Sequence, residues 1–432
     1  MENGRHLLGK PESSPFSPHF GASPHSLVGR SELLSELGSG LATGPRDARF
    51  TSVVMGVRGS GKTALLNEIE DRASSSGWVV ISMDASTPGL LDRIISSIDR
   101  AEHDYEALDL GSSGDKIVEH TVGMRLGPLA GKLSAQEHFR SRHALDLRER
   151  LAFLAAAAQR YNTSVLLTVD ELHAVDRLEG RRLSSDIQHI ARRQQMPLAF
   201  IGAGLSEMKN TLLRDRKMTF FHRCEPFDMA PLDFSDSLVG LSAPITDGGG
   251  SIAEDALALA AEEVQGSPYK LQLIGDMAWK LAGAPHKPIT VEAARQAAAA
   301  AGLAVDQRVS VPAWHDLSAE EKRMLMAIAR LGGHGCPRDV AQRAETTAKR
   351  SAEVMSRMLN AGYLVKPASG AYAISGLVPR AVVLREGEHH ETGRAHRAAG
   401  VFAAAAKCRK WMPRAEAYCV LASGHSGRCR SR

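Results

Sequence analysis

The sequence has few of the features that mark secreted, membrane-spanning or strongly basic proteins. It contains 5 cysteines in 432 residues, too few and too clustered near the C-terminus for a disulfide framework. A reducing, cytoplasmic environment is therefore expected. No apolar run reaches the roughly 20 residues that a membrane span needs, so no membrane association is expected. The net charge of only +4 means that any nucleic-acid binding must depend on a local patch.

The chain is long enough for two or three domains. Residues 1–25 contain Ser, Pro, Gly and His without an apolar targeting segment, and they are expected to be a disordered leader. Changes in composition divide the remainder into four parts. These are an α/β core at 26–231, a helical lid at 232–305, a third unit at 317–376 and a basic, disordered tail at 385–432.

One stretch matches the phosphate-loop pattern G-x-x-x-x-G-K-[ST] without a mismatch. It is Gly56-Val57-Arg58-Gly59-Ser60-Gly61-Lys62-Thr63, between an apolar β-branched run and a helix that starts near Ala64. Backbone N–H groups at such a helix start bind phosphate, so the loop through Ala64 is expected to hold a nucleotide. Lys62 would reach the β- and γ-phosphates, and Thr63 would bind Mg²⁺. The alternative, a chance glycine turn, fits the two flanks less well.

A second apolar strand, 164–171, ends in two acids, Asp170 and Glu171. Buried strands seldom end in paired carboxylates unless these handle a cation or a water molecule. Asp170 is expected to hold Mg²⁺, and Glu171 to polarise the water that attacks the γ-phosphate. The alternative is that both acids stabilise the start of a helix at 172–178. The complete phosphate loop upstream favours the catalytic interpretation.

Apolar strands alternate with helices, which predicts a parallel sheet covered on both faces. Further strands are expected at 78–84, 197–204 and 224–229, whereas 102–145 is expected to be an irregular insertion. The lid segment is predicted to be helical throughout, with one helix starting at Pro268.

The unit at 317–376 is predicted to be a winged helix-turn-helix. A capping box at Ser318 and Glu321 opens the first of three helices, and a hairpin with a turn at Ser369-Gly370 follows the third. The third helix of such a module enters the major groove of DNA. The expected double-stranded DNA contacts are Lys349, Arg350, Arg357 and, from the wing, Lys366. The alternative is a protein-docking module without DNA contact.

The tail contains residues that are able to bind zinc, namely Cys408, Cys419, His425 and Cys429. Their spacing matches no familiar zinc pattern, so a disordered basic tail is the favoured interpretation.

These motifs resemble those of the AAA+ ATPases, in particular the origin-recognition type and related bacterial signalling NTPases. The resemblance covers about 26–374. It rests on Val28-Gly29-Arg30, the phosphate loop, Val169-Asp170-Glu171, Ile201-Gly202-Ala203-Gly204 and Gly266-Ser267-Pro268. It implies a P-loop NTPase core with a five-stranded sheet, in which strand 198–202 lies between the two strands that carry the motifs. It also implies that ATP and Mg²⁺ bind between core and lid, and that the protein forms homo-oligomers.

The same resemblance assigns roles to residues outside the two motifs. Val28-Gly29-Arg30 would line the adenine pocket. Arg223 resembles the arginine that reaches the γ-phosphate of a neighbouring subunit, with Arg214 and Arg216 as alternatives. Lys270 would replace an arginine that such lids usually provide.

The exit of strand 198–202 departs from the family pattern. Related proteins usually place a polar side chain there, often Asn, whereas the first polar residue here is Ser206. The leading hypothesis is a cytoplasmic, Mg²⁺-dependent ATPase that couples its nucleotide state to the winged helix. The nonpolar exit motivates an alternative, a slow nucleotide-gated switch that docks a protein partner. A further alternative is a DNA-binding regulator of replication or of a mobile element.

Overall fold

The structure is a computed structural model, and it describes residues 14–19, 24, 27–108, 124–126, 146–193, 195–209, 212–367, 371–388, 411–412 and 417–418. The turn at Ser369-Gly370 and the four predicted zinc ligands lie outside these residues. The chain divides into two compact units, Met1–Gln307 with Arg357–Gly362, and Arg308–Ser356 with Tyr363–Arg432. Within the described ranges, no helix has both the length and the apolar character needed to cross a membrane.

A six-stranded sheet forms the centre of the first unit, in the order β3-β2-β4-β5-β1-β6. The strands are β1 (Thr51–Met55), β2 (Val79–Asp84), β3 (Met124–Leu126), β4 (Val165–Asp170), β5 (Leu198–Gly204) and β6 (Glu225–Asp228). The predicted position of β5 between β4 and β1 is confirmed. All strands of this sheet except β3 run parallel to one another. The short β3 pairs antiparallel with β2 at the edge, inside the segment that was expected to be irregular.

Helices cover both faces of this sheet, which explains why its strands are apolar at successive positions. Val53 and Leu167 belong to one buried cluster, and Val54 and Leu166 belong to the cluster on the opposite face. The covering helices are Ser31–Thr43, Lys62–Ser75, Leu90–Leu108, Leu147–Arg160 and Arg177–Gln188.

The lid consists of the helices Phe234–Asp247, Glu254–Val264, Pro268–Ala282 and Val291–Val305. The predicted helix start is confirmed, because the Ser267 side chain accepts a hydrogen bond from the backbone N–H of Lys270 and Pro268 is the first helical residue. Both core and lid belong to the first unit, so the boundary at 231/232 stays a prediction.

Part of the leader is ordered against the lid, contrary to the prediction of disorder for 1–25. Phe16 is only 4% exposed and belongs to the apolar cluster of the lid. Its ring lies against Gly275, where any Cβ would collide with it. The backbone N–H of Ser17 also donates to Gln272 Oε1 at 2.9 Å. The composition of this segment predicts little burial, but the Phe16 side chain packs into the apolar cluster of the lid.

The second unit contains helices and a small sheet. Its helices include Val311–Asp316, Ala319–Arg330 and Pro337–Arg343, and Ala348–Asn360 begins in this unit. The predicted capping box at Ser318 and Glu321 is confirmed. The sheet has the antiparallel order β7 (His334–Gly335), β9 (Tyr372–Ile374), β8 (Leu364–Val365). This order of helices and hairpin agrees with the predicted winged helix.

Candidate active site

The phosphate loop connects β1 to the helix that starts at Lys62. Gly59 and Gly61 have φ angles of 77° and 91°, in the left-handed region where a side chain would be strained. A Cβ at Gly56 would lie 2.6 Å from Ser60 Oγ and 3.1 Å from Met229 Cβ, so a side chain there would require its neighbours to shift. The loop therefore curls over the N-terminus of the helix, which is the geometry that binds phosphate through backbone N–H groups.

Lys62 is folded into this loop rather than extended into solvent. It is 6% exposed, and its Nζ donates to the carbonyl oxygens of Gly56 at 3.2 Å and Val57 at 3.0 Å. Burial lowers the pKa of Lys62, while the nearby carboxylates of Glu171 and Asp170 raise it. The ammonium group is therefore held at the centre of the loop, where phosphate oxygens would compete with the two carbonyls.

Thr63 and Asp170 meet although 107 positions separate them in the chain. The Thr63 hydroxyl donates to Asp170 Oδ2 at 2.6 Å, and Asp170 Oδ1 accepts from the backbone N–H of Glu171 at 2.8 Å. Both side chains offer oxygen, the ligand that Mg²⁺ prefers, and this ion usually takes few protein ligands besides phosphate and water. No cluster of three His, Cys, Asp or Glu residues able to hold a metal occurs in the described part of the chain. The pair fits Mg²⁺ bound jointly with phosphate.

Glu171 follows β4 with a left-handed backbone, at φ 50° and ψ 33°. Burial raises the pKa of its carboxyl group, and the charges of Asp170 and Asp84 raise it further, against the opposing effects of Lys62 and Arg58. A left-handed backbone at a residue other than glycine is unfavourable and is commonly found at functional sites. The pKa is shifted in the direction that makes Glu171 a stronger base.

The alternative role of these two acids as helix caps does not fit the structure. Only a short turn, Leu172–Ala174, follows Glu171, and the next helix begins at Arg177. The cap of that helix is Asp176, whose carboxylate accepts from the backbone N–H groups of Leu178 and Glu179. Asp170 and Glu171 are therefore available for another purpose.

Sequence reasoning missed His173, which lies between Glu171 and the exit of β5. Its Nδ1 is 3.3 Å from Glu171 Oε2, and the backbone N–H of Leu205 approaches the same nitrogen at 3.4 Å. The available signal was a histidine two positions after the second acid of the Asp-Glu pair.

Val28, Gly29 and Arg30 lie at the seam between core and lid. Arg30 is 6% exposed, and its Nη2 donates to the carbonyl oxygens of Ser60 at 3.3 Å and Ala230 at 2.7 Å. Burial lowers the pKa of Arg30, against a raising effect of Asp236. The side chain thus connects the phosphate loop with the segment that leads from β6 into the lid. The predicted adenine contact of these three residues stays a prediction.

The lid residues next to the phosphate loop are Pro268 and Tyr269. A Cβ at Gly61 would lie 4.0 Å from Pro268, and one at Gly59 would lie 3.8 Å from Tyr269. Lys270, which the resemblance assigns to the site, instead directs its Nζ to Gln265 Oε1 at 3.4 Å and to a carboxylate oxygen of Glu263 at 3.6 Å. The sequence did not indicate Tyr269, because proximity to the loop depends on how the lid folds over it.

The candidate arginines lie near the start of β6. Arg223 ends the short turn Phe221–Arg223 and is exposed, and no described residue pairs with it. Arg216 is also exposed and has no described partner, while Arg214 ends the turn Leu212–Arg214. Ser206 begins the short helix Ser206–Lys209 after β5. Arg223 and Arg216 are both accessible to another molecule.

The predicted DNA contacts differ in their surroundings. Arg350 binds Glu320 through two hydrogen bonds of 2.6 and 2.7 Å and approaches Glu353 at 3.4 Å. The hydrogen bond to Glu320 raises the pKa of Arg350. The Lys366 Nζ lies 5.5 Å from the centre of the Tyr372 ring. The other two predicted contacts, Lys349 and Arg357, are exposed.

Comparisons with known proteins agree with this geometry. A family model described as "AAA ATPase domain" matches residues 26–201. No curated protein sequence matches the chain significantly. Among solved structures, a Walker-type ATPase of Pyrococcus abyssi is 15% identical with a TM-score of 0.56, covering 83% of this chain and 96% of that one. The ORC2 protein of Aeropyrum pernix, in ADPNP–ADP complexes, is 14% identical with a TM-score of 0.58, covering 88% of this chain and 98% of that one. At such identities the likeness concerns the fold alone.

Proposed function

We propose that the protein binds ATP with Mg²⁺ at the phosphate loop and hydrolyses it, because residues 26–201 match the AAA ATPase domain model. One observation carries the proposal, namely the 2.6 Å hydrogen bond between Thr63 and Asp170, which joins the loop to the acidic end of β4. Lys62 and Glu171 stand beside this pair. The ORC2 protein of similar fold was solved with ADPNP and ADP. The few cysteines favour a cytoplasmic location.

Each side chain of the site has a separate role in this reaction. The loop N–H groups and Lys62 would bind the β- and γ-phosphates and stabilise the charge that spreads over them during transfer. Thr63 and Asp170 would hold Mg²⁺, which neutralises phosphate charge when it is bound. Glu171 would accept a proton from the attacking water, and its raised pKa suits it to that role.

The nucleotide would bind between core and lid. Arg30 bridges the phosphate loop and the segment entering the lid, and Tyr269 approaches the loop from the lid. Val28-Gly29-Arg30 would lie along the adenine ring of the nucleotide. Replacing ATP by ADP would change the contacts at this seam, and we propose that the protein transmits this change to the winged-helix unit.

An arginine from a second copy of the chain would complete the site. Arg223 is exposed and unpaired among the described residues, as a group that serves a neighbour would be. Such an arginine contributes roughly 10³ to 10⁵ in rate in GTPases, so turnover would depend on oligomers. Specific activity should rise with protein concentration, and Arg223→Ala should remove this rise. If Arg216→Ala removes it instead, the neighbouring candidate holds the role.

A second candidate function is a nucleotide-gated switch with slow turnover. The position of Lys270 favours it, because the ammonium group is engaged by Glu263 and Gln265 within the lid. In this version the winged helix docks a protein partner. A DNA-binding role has less support, because the Arg350 charge is already paired with Glu320.

The decisive test compares Glu171→Gln with Glu68→Gln, a half-buried glutamate paired with Arg72 on the helix after the loop. Glu171→Gln should keep ATP affinity and lower hydrolysis at least about 100-fold, the usual contribution of a general base. Glu68→Gln should leave both unchanged. Tight ATP binding with negligible turnover in the unmutated protein would select the switch instead. Unchanged hydrolysis in Glu171→Gln would refute the catalytic assignment.

A further inference from the structure

Phe16 and Ser17 attach the N-terminal leader to the third helix of the lid, Pro268–Ala282. The Phe16 ring occupies the space that a side chain at Gly275 would need, since a Cβ there would come within 2.4 Å of a ring carbon. One turn earlier on the helix, Gln272 Oε1 accepts a hydrogen bond from the backbone N–H of Ser17 at 2.9 Å. Apolar packing and a hydrogen bond therefore hold the leader on one helix.

The same helix also provides lid residues that lie next to the phosphate loop. Pro268 is its first residue, and Tyr269 lies 3.8 Å from the position of a Cβ at Gly59. A helix rises 1.5 Å per residue, so Gln272 lies about 5 Å and Gly275 about 9 Å along the axis from Tyr269. Two turns of helix move as one rigid element, so the leader and the phosphate loop contact the same element at different points.

Pro15 connects the leader to a second helix of the lid, Phe234–Asp247. A Cβ at Gly248, which caps this helix, would lie 3.4 Å from Pro15 Cγ. The segment just before the helix contains Ala230, whose carbonyl oxygen accepts a hydrogen bond from Arg30. The leader thus contacts two lid helices, and both of them start at the seam between core and lid.

We propose that the docked leader positions the third lid helix against the phosphate loop and thereby slows the release of bound nucleotide. The inference rests on the proposed function, because it requires a nucleotide between core and lid. With Phe16 docked, contacts outside the nucleotide site already restrict the helix that carries Tyr269. With the leader undocked, the helix regains freedom that it must lose again whenever nucleotide binds. Phe16 acts only through this helix and is a positioning residue.

Coupling of this kind is reciprocal, so bound nucleotide must also favour the docked leader. The Ser17 amide reports docking directly, because its hydrogen bond to Gln272 has to open before the amide exchanges with solvent. Saturating ADP with Mg²⁺ should slow hydrogen exchange at this amide about 5- to 30-fold, toward the lower end of the usual range for coupled sites. An exchange rate that ADP leaves unchanged would overturn the proposal.

The release rate tests the same coupling from the side of the nucleotide. A fluorescent ADP analogue, with its fluorophore on the ribose, is displaced from the full-length protein by excess ADP, well below the Tm of each variant. Phe16→Ala should raise the release rate about 5- to 30-fold, because reciprocity requires a factor similar to that seen in exchange. His19→Ala, at an exposed position of the leader, should leave the rate unchanged. Equal release by the two variants would contradict the proposal.

Gly275→Ala tests the contact from the side of the lid. In the unmutated background its methyl group would displace the Phe16 ring, so release should accelerate as in Phe16→Ala. In the Phe16→Ala background the methyl group meets no ring and the helix gains a better helix former, so no further acceleration should occur. Additive acceleration in the double variant would show that Gly275→Ala disturbs the helix itself, and the positioning role would be refuted.

The two proposals fail in different ways. If the unmutated protein does not bind ADP, the proposed function is contradicted and this inference falls with it. If ADP binds saturably but its release is the same in Phe16→Ala, only the role of the leader is contradicted. The release assay involves no hydrolysis, so its result does not depend on the catalytic assignment of Glu171.

Discussion

The docking of Phe16 in the lid provides a prediction that does not depend on any ligand. Phe→Ala substitutions in a core usually cost about 3–5 kcal/mol, because they leave a cavity. Here we expect a smaller cost, because residues 14–19 would undock from the lid instead of leaving a cavity. The loss is then limited to the free energy of docking. Burying the ring contributes about 1.5–3 kcal/mol, and fixing the backbone of the segment opposes it.

We therefore expect Phe16→Ala to lower the free energy of unfolding by about 1–2 kcal/mol. For a unit of this size that corresponds to about 1.5–3 °C in Tm. The same substitution should increase amide hydrogen exchange at 14–19 and on the Gly275 face of the lid. Gly275→Ala should act similarly, because its methyl group would collide with the ring. His19 is exposed and gives the control His19→Ala. Equal Tm and exchange in Phe16→Ala and His19→Ala would refute the docking.

Three further predictions concern single side chains. Asp176→Ala removes the cap of the helix Arg177–Gln188 and should lower stability by about 1 kcal/mol, measured by urea unfolding; an unchanged midpoint would show that the cap is not needed. Glu171→Gln should raise Tm at neutral pH, because the raised pKa of this carboxyl means that ionisation disfavours the folded state. The difference should vanish below the ordinary carboxyl pKa and be complete above the raised one, and the opposite trend would contradict the sign of the shift. If the winged helix binds duplex DNA, Lys349→Ala should reduce the slope of log K against log salt by about 1; an unchanged slope would exclude this contact.

The elements that the sequence predicted well are those defined by local pattern. The phosphate loop needs glycines at fixed spacing, and Gly59 and Gly61 indeed have the left-handed backbone that only glycine adopts easily. The apolar runs of β4 and β5 predict strands buried on both faces. The sheet order came from the family resemblance, and the register of β5 between β4 and β1 confirms it.

The features that the sequence did not predict depend on contacts between distant residues. The Phe16 ring packs against the lid because Gly275, 259 positions later in the chain, has no side chain. His173 reaches the exit of β5 because Gly204 admits the turn after β4. Lys270 contacts Glu263 within the lid, and its predicted role at the nucleotide stays a prediction. None of these contacts produces a periodic pattern, so propensity and spacing contain no signal for them.

The central claim is that the phosphate loop binds ATP through the buried ammonium group of Lys62. Equilibrium titration tests this claim most directly. The unmutated protein, Lys62→Ala and the exposed control Lys217→Ala should each be titrated with ATP in the presence of Mg²⁺. The account predicts saturable binding by the unmutated protein and by Lys217→Ala, and loss of at least about 100-fold in affinity for Lys62→Ala, as expected when a buried charge-assisted contact to phosphate is removed. Equal affinity in all three proteins would contradict it.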